Sequence, residues 1–413
     1  MKRLTLSVAV FVALAGCFPA KRVSVSPDGS HLVVVGSGNT EGLFLMTPDG
    51  KECRRLAQKA ACPVFSPDGK RCVFIAPGEP EPAPEPGKAE GSGPGAQGEQ
   101  APAAQRKPRE RIDYVLMDVA SGERKVLASW LQSDEQQTVL AFSHWRPDGK
   151  AIALVRLWIH KEAKDATHTE LRLVDPADGT SEQLDKAVGL NCAWSPDGGQ
   201  LAYVTQLTAD GTSRLTEASM PGQLHLMTEG DARTVAALVF NPWQGVAWLD
   251  DDRVAFGSLM ATLPMGTRLG KDLRHGVHVY DAKTDTVAQL FDTGTAEGMS
   301  WEFLVPSPDR KRMFYSRKGP GDSDDPALWC YDIAEARGRQ VAESIKQQYP
   351  FWVGNNRVGW FTRDNILAIA TIDREGKVGR PAALDLKALA NPPVEKKPEP
   401  QDKPAHPPAD PAE

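Results

Sequence analysis

The chain has 413 residues, with 48 Lys and Arg against 54 Asp and Glu, a formal net charge of -6, and 41% hydrophobic and 25% charged residues. That balance excludes a broad nucleic-acid surface, which needs clustered Lys and Arg. No stretch beyond the first residues is apolar for long enough to cross a bilayer as a helix, and the length suits one large or two medium domains of ordinary soluble composition.

Lys2 and Arg3 precede an apolar run from Leu4 to Ala15 and a small-residue region, the pattern of an export signal. Leu14-Ala15-Gly16-Cys17 at its end resembles the bacterial lipobox, in which the cysteine is acylated and becomes the mature N-terminus. On that resemblance residues 1–17 are a lipoprotein signal and Cys17 is the lipidation site. Two or three acyl chains anchor firmly, because each buried methylene contributes about 0.8 kcal/mol. Similarity to lipoprotein sorting in bacteria with two membranes implies, from Phe18 where Asp would retain the chain, the outer membrane facing the periplasm. Cys53, Cys62, Cys72, Cys192 and Cys330 remain, an odd number that leaves at least one thiol unpaired. Cys53, Cys62 and Cys72 fall on neighbouring predicted strands, where either one disulfide or small buried thiols fit. Their spacings match no zinc pattern.

Seven turn cassettes then follow in order. Val25–Gly29, Phe65–Gly69, Trp145–Gly149 and Trp194–Gly198 each place Pro-Asp-Gly after an apolar or aromatic residue, and Pro306–Arg310 keeps the Pro-Asp. Trp248–Asp252 and Trp352–Asn356 lack the proline and read one residue shorter. Proline presets φ early in such a turn and glycine accepts the left-handed conformation that closes a hairpin. An apolar strand follows each, from Leu32–Val35 to Val358–Phe361, and a second hairpin follows that, as in Leu171-Arg172-Leu173-Val174-Asp175. Two hairpins per unit at a period of about 40 to 55 residues predict propeller blades. The expected fold is all-β: one seven-bladed propeller of four-stranded antiparallel blades over residues 18–390. Six or eight blades also fit, because Lys21–Ser24 or Val378–Leu386 can supply a closing strand.

The Ser-Pro-Asp-Gly cassette, with Leu-x-apolar-x-Asp some twenty residues on, resembles the TolB-type (WD40-like) propeller repeat, over about Val23 to Leu386. That repeat also occurs in the propellers of prolyl-oligopeptidase-like enzymes. The resemblance implies docking of envelope partners at the funnel; it is to the repeat and not to the α/β domain that accompanies it in TolB.

Two segments stand outside the blades. Residues 77–111 interrupt the second blade with a Pro-, Gly-, Ala- and Glu-rich stretch that is expected to be a disordered surface excursion. Arg106, Lys107, Arg109 and Arg111 at its end read as a solvated linker end. Residues 391–413 form a Pro-, Lys- and Glu-rich tail expected to be extended.

Candidate chemistry is sparse. Asp28, Asp68, Asp148, Asp197, Asp251 and Asp309 recur once per turn, so their expected work is structural, bonding local backbone. Phe65, Trp145, Trp194, Trp248 and Trp352 likewise read as interblade core. His275 and His278 point to opposite faces of a strand and cannot share a metal. His160 and His168 would need Glu162 or Asp165 beside them, and Asp322-Ser323-Asp324-Asp325 lacks calcium-loop spacing and reads as a solvated turn. No nucleophile elbow, zincin motif, phosphate loop or dinucleotide fingerprint occurs. The expectation is therefore a monomeric, non-enzymatic scaffold without cofactor or metal. It is expected to bind an envelope protein or peptide through loops such as Leu207–Gly222, Met260–Gly276 and Arg317–Ala327. A propeller lyase or lactonase, or a small-ligand or glycan sensor using the funnel, is the alternative.

Overall fold

A computed structural model describes residues 21–36, 41–81, 109–133, 136–160, 167–208, 220–240, 245–258, 260–261, 274–295, 304–318, 326–343, 345, 350–362, 364 and 366–386. Each turn cassette joins an inner strand to its neighbour. In the first blade the Gly29 N–H donates to the Ser26 carbonyl at 2.8 Å, with Gly29 at φ 70°, where a side chain is disfavoured. Val23–Val25, Leu32–Gly36, Gly42–Met46 and Cys53–Ala57 then pair antiparallel in chain order.

Six further sheets repeat this plan, beginning at Ala61–Phe65, Gln137–Trp145, Val188–Trp194, Val246–Trp248, Val305–Pro306 and Phe351–Trp352. The result is the expected seven-bladed antiparallel propeller. Turns five and seven are shorter as read: the Leu249 and Val353 N–H groups bond four residues ahead, to Arg253 and Arg357, whereas Ser26 bonds five ahead to His31.

Three departures from the sequence reading follow from pairing. Met260–Ala261, taken as part of a loop, adds a fifth strand to the outer edge of blade four, with Leu238 opposite Ala261. In blade two the hairpin extends into the supposed 77–111 excursion, through Pro77 opposite Ile112 and a bridge from Glu81 to Arg109. Backbone pairing there outweighs the Pro-rich composition; residues 82–108 lie outside the described residues. Among the described residues no strand is exchanged between blades one and seven. Blade seven ends in its own outer strand, Ala382–Leu384, and Val23–Val25 belongs to blade one.

Side-chain packing closes the ring instead. Val23, Leu32 and Val34 of blade one share a buried cluster with Phe351, Phe361, Leu367 and Ile369 of blade seven. The Arg22 guanidinium lies 4.1 Å from the centre of the Phe361 ring and donates to the Val35 carbonyl at 2.8 Å.

Sheet topology sorts the connections by face. Turns between strands one and two, and between three and four, emerge on one face and are short, save in blade seven, where residues 372–381 join Thr371 to Ala382. Links from strand two to three, and from blade to blade, emerge on the other, and the internal stretches outside the described residues all fall within these links.

Candidate functional site

Inner strands of all seven blades line a central cavity of about 520 Å³. The period of two in a strand explains which side chains reach it. Counting back two residues from the start of each turn gives Ser24, Val64, His144, Ala193, Ala247, Val305 and Phe351, one per blade, all on the cavity wall. The next residue along faces the neighbouring blade. There the indole N–H groups of Trp194, Trp248 and Trp352 donate to the carbonyls of His144, Ala193 and Val305 in the preceding blade, at 3.0, 2.9 and 3.0 Å. Phe65 and Trp145 occupy the equivalent buried positions. The recurring aromatics therefore join blades.

Lys21, His144 and Arg310 are the basic side chains on this cavity wall, and the Arg310 guanidinium donates to the Trp248 carbonyl at 2.7 Å. Lys21 sits within the ring with part of its surface toward the channel; burial lowers its pKa, opposed by the nearby Cys62 and Cys72 thiols. Burial, and secondarily the charge on Lys21, pushes His144 down to about 3, so its imidazole is neutral at neutral pH. Its Nε2 has no hydrogen-bond partner among the described residues.

All five described cysteines are free thiols. Burial pushes Cys62 up to about 11 and Cys72 up to about 12, which keeps both protonated and unreactive. Among the described residues no three His, Cys, Asp or Glu gather to hold a metal ion.

On the face of the longer links, blades two and three build a second cluster. Arg156 lies 4.9 Å from the ring centres of both Trp130 and Trp158. It donates to the Thr138 hydroxyl at 2.8 Å and pairs with Glu170 at 3.3 Å, both charged side chains being buried. Desolvation lowers the Arg156 pKa and the Glu170 charge opposes it. His168 stacks on Trp158 at 5.3 Å, and His160 meets His168 edge-on at 5.0 Å. Sequence spacing separated these groups; only the strand register, with Arg156 opposite Glu170 and Trp158 opposite His168, brings them together.

The turn aspartates lie on the opposite face. The Asp28, Asp68 and Asp197 carboxylates accept from the hydroxyls of Ser26, Ser66 and Ser195 and from backbone N–H groups two residues on. Asp309 accepts from Ser307 and Lys311, and Asp148 from the Arg146 guanidinium and the Lys150 N–H. Blade five differs: Asp250, not Asp251, accepts from the N–H groups of Asp252 and Arg253, because the shorter turn moves the acceptor back one place.

His278 is buried and stacks 5.9 Å from Phe256. Cys17, residues 322–325, 391–413, and the Glu162 and Asp165 considered as partners of the histidines lie outside the described residues, as does the side chain of His275.

No protein-family model matches the chain, and neither does any curated protein. Solved structures do match. An oligogalacturonate lyase from Vibrio parahaemolyticus is similar with a TM-score of 0.56 and 12% identity, over 87% of this chain and 91% of that one. An oligogalacturonate lyase in complex with manganese follows at 0.51 and 14%, over 90% and 91%. TolB from Acinetobacter baumannii is similar at 0.42 and 15%, over 82% of this chain and 68% of its own. At such identities the likeness is one of propeller fold.

Proposed function

We propose that the chain is an exported, lipid-anchored propeller of the bacterial outer membrane that binds an envelope protein or peptide without converting it. The observation that carries this reading is the inequality of the two faces. One face is made mainly of short turns whose polar groups are satisfied locally. The other carries the longer links and three of the four large apolar side chains exposed among the described residues, Leu131, Leu207 and Ile366. Recognition concentrates on longer loops held by a rigid frame.

A channel walled largely by apolar groups and protonated thiols, with a neutral imidazole, also supports binding over turnover. A second reading, a small anionic ligand in the channel, draws on Lys21 and Arg310; a rise in melting temperature with added small carboxylates would favour it.

Affinity capture with the full-length chain from detergent-solubilised envelopes tests the proposal. One protein should co-purify in a constant ratio and be lost at least tenfold with the Leu131→Asp, Leu207→Asp variant. Retention of the same partner by that variant, or capture of none, would overturn the reading.

A further inference from the structure

We propose that the face bearing the longer links lies against the membrane surface, held there by a tether too short to let the ring turn over. The inference rests on acylation of Cys17 and adds to it an orientation fixed by the fold. The chain enters the described structure at Lys21, on the cavity wall. The Val35 N–H donates to the Arg22 carbonyl at 2.8 Å, which places this entry level with the end of the second strand, on the link-bearing face.

From Cys17 to Lys21 are four peptide steps, a reach of about 14 Å at full extension. Crossing a blade from inner to outer strand takes three strand spacings, also about 14 Å, before any side chain is counted. The tether is used up in reaching the rim and has nothing left with which to pass around it. A lipid on Cys17 therefore inserts beneath the face from which the chain emerges.

The side chains on that face suit such a position. Leu131, Leu207 and Ile366 are exposed there, at 36%, 52% and 36%. Trp130 and Trp158 lie half-buried near the same ends of their blades, and indole rings favour the lipid–water boundary. The partner of the proposed function would accordingly be met at the membrane, as a protein embedded in or anchored to the same leaflet.

Depth-dependent quenching tests the orientation. Full-length protein carrying Cys53→Ser is reconstituted in phosphatidylethanolamine–phosphatidylglycerol vesicles with a headgroup nitroxide, and a fluorophore is placed at Leu207→Cys or Ile366→Cys, or at Lys70→Cys or Lys150→Cys on the turn face. Quenching should be at least threefold stronger at the first pair. Equal quenching, or stronger quenching at the second pair, in protein whose mass shows acylated Cys17 would overturn the orientation while leaving the anchor intact. Unmodified Cys17 in the membrane-recovered chain would overturn both.

Discussion

Asp28 and its counterparts make the turn face sensitive to acid. The hydrogen bond from Ser26, with others from Ser30, holds Asp28 at about 2, below the ordinary carboxylate value of about 3.9. A carboxyl depressed in the folded state contributes stability that is complete above about pH 4 and is lost as pH falls toward 2. His144 acts in the same direction from a higher pH. Its folded value of about 3 lies below the ordinary histidine value of about 6.5, so the unfolded chain binds more protons between the two and stability falls as pH drops below 6.5. Thermal melts against pH should therefore show a decline that starts near pH 6.5 and steepens below pH 4. His144→Gln should flatten the upper part, and Asp28→Asn with Asp68→Asn the lower.

Arg156 gives a sharper test. Removing one member of a buried ion pair leaves the other uncompensated, at a cost of about 3 to 5 kcal/mol. Glu170→Gln should lower urea stability by about 3 kcal/mol, and an unchanged midpoint would show that Thr138 and the two indole rings hold Arg156 without that carboxylate.

Blades form because hairpin turns recur, and they hold together through groups that the recurrence also exposes. Trp248 is 1% exposed and bonded across to Ala193. Trp248→Phe removes that donor and leaves a small void, so a loss of about 2 kcal/mol is expected by chemical denaturation. Within blade seven, a methyl on Gly359 would collide with the Phe351 ring. Alanine ordinarily suits a strand better than glycine, yet Gly359→Ala should destabilise here, read as a lower melting temperature, because Phe351 has to leave the seam between blades seven and one.

The repeat was readable even where proline was missing: Trp248 and Trp352 kept the register, and the shortened bonds to Arg253 and Arg357 match the shorter turns. The short strand Met260–Ala261 was not readable, because edge pairing depends on what the neighbouring blade leaves unpaired. Asp251 was misplaced for a local reason: in a run of three aspartates, sequence cannot say which carboxylate meets the backbone.

At the scale of the ring, the seam is its distinctive feature. Among the described residues no strand is shared across it, and the cluster around Val23, Phe351 and Phe361 with the contact of Arg22 bridges it. Native-state hydrogen exchange should open inner strands of blades one and seven before those of blades three and four. Composition could announce a propeller but not its channel. His144 holds a wall position that recurs once per blade, but its residue type does not recur; Lys21 precedes the first repeat, and Arg156 with Glu170 is visible only through register. The pattern of Lys2, Arg3, the apolar run and Cys17 is encoded locally in the sequence, and the proposed anchor rests on it alone.

Photo-cross-linking in living cells tests that reading most directly. A benzoylphenylalanine at Leu131 or Asp364, on the link-bearing face, should give one discrete protein adduct, while the same probe at Lys70 or Lys150 should give none. An adduct from the turn face alone, or from neither face, would contradict it.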